Sequence, residues 1–121
     1  MRKLGLIGGM SWYSTEAYYK RINQQVVRRT NGTCNAPLVI ESLNFCDIRM
    51  ASSDADWDHV ANVLIDAARR LETAGASAIL ICANSMHKVH DRVAEAVTVP
   101  VIHIADAVGA KMKADRIQSA A

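Results

Sequence analysis

Two kinds of pattern alternate along the chain. Short runs dominated by apolar residues occupy positions 4–7, 37–43, 77–83 and 100–104, and each has the length of a strand. The run at 77–83 (SAILICA) is almost uninterrupted, as expected of a strand covered on both faces. Longer stretches between them space their apolar residues as helices do. In the clearest, Val60, Val63, Leu64, Ala67, Ala68, Leu71 and Ala74 fall at i, i+3, i+4, i+7, i+8, i+11 and i+14. Asp58, Asn62, Asp66, Arg69, Arg70 and Thr73 cover the opposite face of that helix. Further helices are predicted over 11–29, from Asn84 to roughly Val97, and from Asp106 onward. Asn31-Gly32 and Gly75 close the first two helices, since these residue types accept the left-handed conformation that ends a helix. The polar stretch 44–56 is expected to form a long loop, and long loops in compact domains are often functional. The final residues, IQSAA, resemble the start of a fifth strand.

Strands alternating with helices across short joints predict an α/β fold. Its sheet should be open and mostly parallel, of about four to five strands, with helices on both faces. The 121 residues are expected to form a single lobe, 1–121, and half of them are apolar. Fourteen basic against 12 acidic side chains leave a net charge of +2, too balanced to argue for nucleic acid or an anionic membrane. No stretch approaches the roughly 18 to 20 apolar residues of a membrane span. The apolar run at 4–7 falls short of the about 7 to 15 residues of a secretory signal, so a cytoplasmic protein is expected. Cys34, Cys46 and Cys82 form an odd count without a CxxC pair, which points to reduced thiols.

Ligands of open α/β sheets bind beyond the carboxyl ends of the strands. Three such ends carry chemistry: Gly8-Gly9-Met10-Ser11, the loop after Leu43, and Ala83-Asn84-Ser85. The glycine turn admits two readings. It can be plain architecture with Ser11 as a cap, or it can let an anion approach the backbone at a helix start. The order of its glycines is not that of a dinucleotide-binding loop, and Glu41 lies well past the spacing of about 20 residues expected of a ribose-binding acid. No GK[ST] sequence is present, which excludes a P-loop. In CANSMHKVH, Cys82, His87 and His90 invite comparison with a metal site. Cys82 belongs to the buried strand, however, and no fourth ligand is recognisable, so no metal is expected. Cys82 would act as a nucleophile only if exposed and acidified, whereas a strand thiol is usually inert. Trp12, Tyr13, Tyr18 and Tyr19 are expected to serve core or interface packing, His59 the surface and His103 the core.

Taken together, KLGLIGGMSWYST, ILICANSMHKV and PVIHIADA resemble, in order and spacing, the first lobe of the aspartate/glutamate racemase family. The likeness extends over essentially the whole chain. It is strongest to a broad-specificity bacterial amino-acid racemase branch with GGMSW at the start and NTMHK after strand three. The resemblance implies two flavodoxin-like lobes with a substrate cleft between them, of which this chain supplies the N-terminal one, the second lobe being absent. It implies racemisation of a small, dicarboxylic-class amino acid without cofactor, one group removing the α-proton while another delivers a proton to the opposite face. By position, Gly9, Met10 and Ser11 would line the cleft, Ser52 would approach the substrate, Asn84 and Ser85 would hold its carboxylate, and His87 would be a further substrate-binding residue. Arg49 lies near the place of a carboxylate-binding arginine in some relatives. The resemblance also exposes a departure. The family's first catalytic position holds Cys or Thr, and here it is Ala83. Cys82, one residue earlier, is the remaining candidate, but neighbouring strand side chains face opposite ways. The chain is therefore expected to be a poor or inactive racemase. The alternatives are a non-catalytic amino-acid or small-anion binding lobe, and a homodimer in which two lobes pair.

Overall fold

The computed structural model describes residues 2–48, 53–83 and 89–102. The order is β1 (Leu4–Gly8), α1 (Trp12–Arg29), β2 (Leu38–Ser42), a 3-10 turn (Phe45–Asp47), α2 (Asp54–Thr73), β3 (Ala78–Ile81), α3 (His90–Ala96) and β4 (Val101–Ile102). The four strands form one sheet in the order β2-β1-β3-β4, and every pairing is parallel. The chain thus steps outward from β1 to β2, crosses back over β1, and continues through β3 to β4. This reversal places a topological switch point between β1 and β3, where open α/β sheets leave a crevice at their carboxyl edge.

Period-two alternation divides the sheet's side chains between two layers. Ile7, Ile79 and Ile81 pack with Val60, Leu64, Leu71 and Val93 of α2 and α3. Leu6, Leu80 and Cys82 face the other way and meet Tyr18 and Ile22 of α1. Helices therefore cover both faces, as the strand-helix alternation predicts. The expected fifth strand, the helix from Asp106 and His103 lie outside the described residues.

The helix ends follow from local chemistry. Asn31 (φ 53°) and Gly32 (φ 80°) both adopt left-handed backbone after α1. Gly32 N–H donates to Val27 O at 2.8 Å and Asn31 N–H to Arg28 O at 3.5 Å, which together satisfy two of the last carbonyls. Gly75 (φ 98°) performs the same reversal after α2. The start of α2 corrects the expected 44–56 loop. Ser53 Oγ accepts from Asp56 N–H while Asp56 Oδ2 accepts from Ser53 N–H, each at 3.2 Å. That reciprocal capping box starts the helix at Asp54, inside the expected loop, with Asp in place of the usual Glu or Gln.

The aromatic residues of α1, expected in core or interface packing, divide into two groups. Of the four, Tyr18 alone packs against the sheet cluster, while Trp12 (58% exposed), Tyr13 (67%) and Tyr19 (47%) are exposed. Helical period gives the inner stripe to Thr15, Tyr18 and Ile22, and turns the others outward.

Candidate active site

The site is built at the switch point, where β1 runs into α1 beside the end of β3. Three hydrogen bonds fix this edge. Ile7 O accepts from Cys82 N–H at 2.9 Å, Gly8 O accepts from Leu43 N–H at 2.8 Å, and Gly9 N–H donates to Thr15 Oγ1 at 2.9 Å. The ladder from β1 thus extends one residue past both neighbouring strands. The glycines are required by close approach. A Cβ on Gly8 would run into Thr15 Oγ1 and Cγ2, and one on Gly9 (φ 82°) would land on the backbone of Leu43.

This geometry sharpens the two readings of the turn. Gly9 N–H, a candidate anion donor, is already engaged by Thr15. Ser11 stands at the N-cap of α1 with extended backbone, but its side chain makes no capping hydrogen bond, and the first turn holds no acidic residue. The first N–H groups of a helix have no intrahelical partner, so α1 offers its own start to an anion where Gly9 does not. Met10 departs from the expectation that it lines a cleft: it is 4% exposed and packs in the α2-side cluster that also holds Ile48.

At the end of β3, alternation decides the fate of two neighbouring residues. Ala83 packs against the α2-side cluster, while Cys82 lies on the α1 side, fully buried with Leu6 and Leu80. Burial pushes the Cys82 thiol up to about 12. At neutral pH the thiol stays protonated. Cys82 is therefore a poor base, and its position facing α1 removes it from the side on which Ala83 stands.

Other candidates are absorbed by structure. Glu41, considered for a ribose hydroxyl, accepts from Arg70 Nε at 2.9 Å, and so joins β2 to α2. His90, considered for a metal, donates from Nε2 to Val101 O at 2.9 Å, which ties α3 to β4 and occupies that nitrogen. His59 is exposed, as expected. Ser52, Asn84, Ser85, His87 and Arg49 lie outside the described residues. Thr15 is the residue that the sequence reading missed. Its signal was a hydroxyl in the first turn of the helix that follows a Gly-Gly bend.

The sequence pattern of the Asp/Glu/Hydantoin racemase family matches residues 7–120. The chain belongs to that family. Among solved structures it is similar to a Yersinia pestis protein assigned as an Asp/Glu racemase, with a TM-score of 0.88 and 43% identity over 95% of this chain. It is also similar to an aspartate racemase homologue from Pyrococcus horikoshii OT3, with a TM-score of 0.82 and 34% identity over 95% of this chain. In both cases the match spans 50% of the relative's length, so this racemase-family chain corresponds to about half of each. No helix among the described residues is long and apolar enough to cross a membrane.

Proposed function

We propose that this chain is the N-terminal, substrate-holding lobe of a cofactor-independent amino-acid racemase of the aspartate/glutamate class. The observation that carries the reading is the switch-point edge itself. There an uncapped helix start, free of acidic residues, stands beside the end of β3 in a chain of racemase ancestry. The chemistry such an edge serves is a carboxylate held by backbone N–H groups and the helix dipole. In the proposed reaction one group removes the α-proton from one face of the amino acid and a second returns a proton to the other face. Ser52, Asn84, Ser85 and His87 are proposed to contact the substrate by their family positions. The second proton-transfer group is assigned to the half of the relatives that this chain does not span. The same reading takes the protein as cytoplasmic and self-pairing.

Position 83 favours a second reading. Ala83 occupies the family's first catalytic position, and a methyl group cannot move a proton. General acid–base groups contribute about 10²–10⁴-fold each, so binding without turnover is the expected behaviour of this chain. The test pairs thermal melting in L-aspartate and L-glutamate with Cα-hydrogen exchange in D₂O and chiral analysis. A ligand-dependent rise in melting temperature with exchange at background is expected. Failure of both amino acids to shift the melt would sink the substrate class. Exchange that disappears in Cys82→Ser would overturn the assignment of position 83 as the missing acid–base group.

A further inference from the structure

Thr15 is the buried polar residue of the described core, only 9% exposed, and its hydroxyl sits at the hinge between β1 and α1. Oγ1 accepts from Gly9 N–H at 2.9 Å and lies 3.4 Å from Ser11 O, to which it can donate. Both sides of the hydroxyl are thus engaged by backbone, one on each side of Met10. The methyl and hydroxyl of Thr15 also fill the space that a side chain at position 8 would need. Three features interlock: the glycine at 8 admits Thr15, Thr15 holds the left-handed Gly9, and Gly9 directs the chain into Ser11 and the first turn of α1.

We propose that Thr15 is a positioning residue, which orients the start of α1 toward the substrate carboxylate by clamping Gly9 N–H. The inference rests on the reading of this edge as the substrate-holding wall. It adds a residue that touches no ligand yet determines where the ligand's donors point. Without the hydroxyl, Gly9 N–H loses its partner and the turn gains freedom. The free N–H groups of α1 then no longer meet a carboxylate in a fixed direction.

The test uses the 121-residue chain with L-aspartate as the probe, its affinity followed by NMR titration well below the melting temperature. Thr15→Val keeps the shape and removes the hydroxyl. It should weaken L-aspartate binding about tenfold, the equivalent of one net hydrogen bond, and accelerate amide exchange at Gly9. Thr15→Ser keeps the hydroxyl and should restore affinity to within about twofold of the unaltered chain, a difference small on this scale. If Thr15→Val does not fold, Thr15→Ala, which favours the helix more, carries the same comparison. A purely structural Thr15 would lower the melting temperature of Thr15→Val and leave its L-aspartate affinity unchanged, and that result overturns the inference. Absence of L-aspartate binding by the unaltered chain overturns the proposed function and this inference with it. The two failures are distinguishable because only the second appears before any substitution.

Discussion

The two faces of the sheet are built to different depths. On one, Ile7, Ile79 and Ile81 meet α2 and α3 in a continuous cluster with Val60, Leu64, Leu71 and Val93, all 1% exposed or less. On the other, Leu6, Leu80 and Cys82 meet α1 through the partly buried Tyr18 and Ile22, and the remainder of that helix turns Trp12, Tyr13, Tyr19 and Val27 to solvent. Stability accordingly resides mainly on the α2 face. The α1 face contributes less apolar burial, and polar contacts supplement it: the Thr15 clamp at the glycine turn and Asn23 Oδ1, which accepts from Ala36 N–H at 2.9 Å. The contrast teaches how one strand can offer two unlike neighbours. β3 and its extension send Ala83 to the deep face and Cys82 to the shallow one, so the thiol faces away from the side on which its neighbour stands.

The largest expected effect tests the difference in depth directly. Leu71→Ala removes a side chain 1% exposed that packs in the deep cluster, and should cost about 2–5 kcal/mol in urea unfolding. Ile22→Ala removes a half-buried side chain from the shallow face and should cost about half as much, because less surface is transferred and solvent can fill the gap. Equal costs would break the comparison.

That asymmetry bears on what could be read from sequence. The α2 helix was legible because its apolar stripe has a single period and faces a continuous core. β3 was legible as an apolar run because the order β2-β1-β3-β4 leaves it paired on both edges, between two helical layers. Asn31-Gly32 and Gly75 marked helix ends because the left-handed backbone there is a local demand of the chain. Less legible were features that depend on meetings across space. Thr15 is an ordinary first-turn helix residue until the Gly8-Gly9 bend brings a backbone N–H to it. Spacing alone argued against Glu41 as a ribose-binding acid, but the Arg70 that α2 places 2.7 Å from it could not be read from the sequence. Met10 follows the glycines in the motif, but the same bend sends its side chain into the core. The start of α2 was hidden because its capping box uses Asp56. The aromatic residues of α1 were grouped by type, whereas rotation about the helix axis separates Tyr18 from Trp12 and Tyr13, whose rings stack on each other 3.7 Å apart.

A smaller effect sharpens the contrast at the end of β3. Cys82→Ser places a hydroxyl where the thiol is enclosed by Leu6 and Leu80, with Leu80 O no nearer than 4.0 Å to sulfur. An underbonded hydroxyl in that setting should cost about 1–3 kcal/mol. The same burial predicts selective labelling. Iodoacetamide should modify the exposed Cys34 and Cys46 in the native protein and reach Cys82 only on unfolding. Native-state alkylation of Cys82 at a rate similar to Cys34 would show that the shallow face opens readily, and would return the thiol to consideration as a reactive group.

The smallest effect concerns how the deep face is fastened at its edge. Glu72, at the carboxyl end of α2, gathers the segment between α3 and β4. Its Oε2 accepts from Thr98 N–H at 2.7 Å, Thr98 Oγ1 at 3.1 Å and Val99 N–H at 3.2 Å. The Thr98 backbone donor is the main cause that holds the carboxyl below its ordinary value of 4.5. Partial desolvation opposes it, and the Val99 N–H and Thr98 hydroxyl add to it. Because the folded state lowers this pKa, the folded protein binds the proton less readily than the unfolded chain. The clamp's contribution is therefore complete above the unfolded value and is lost as the pH falls below 4.5 through the lower folded value. Glu72 is only partly buried and its hydrogen bonds to Thr98 are open to solvent, so the effect should be small and weakened by salt. Melting curves of the unaltered chain and Glu72→Ala should differ at neutral pH and converge in acid. A gap that persists unchanged at low pH would assign the role of Glu72 to helix packing in place of its charge, and would leave the His90–Val101 hydrogen bond as the polar tie described between α3 and β4 at the edge of the deep face.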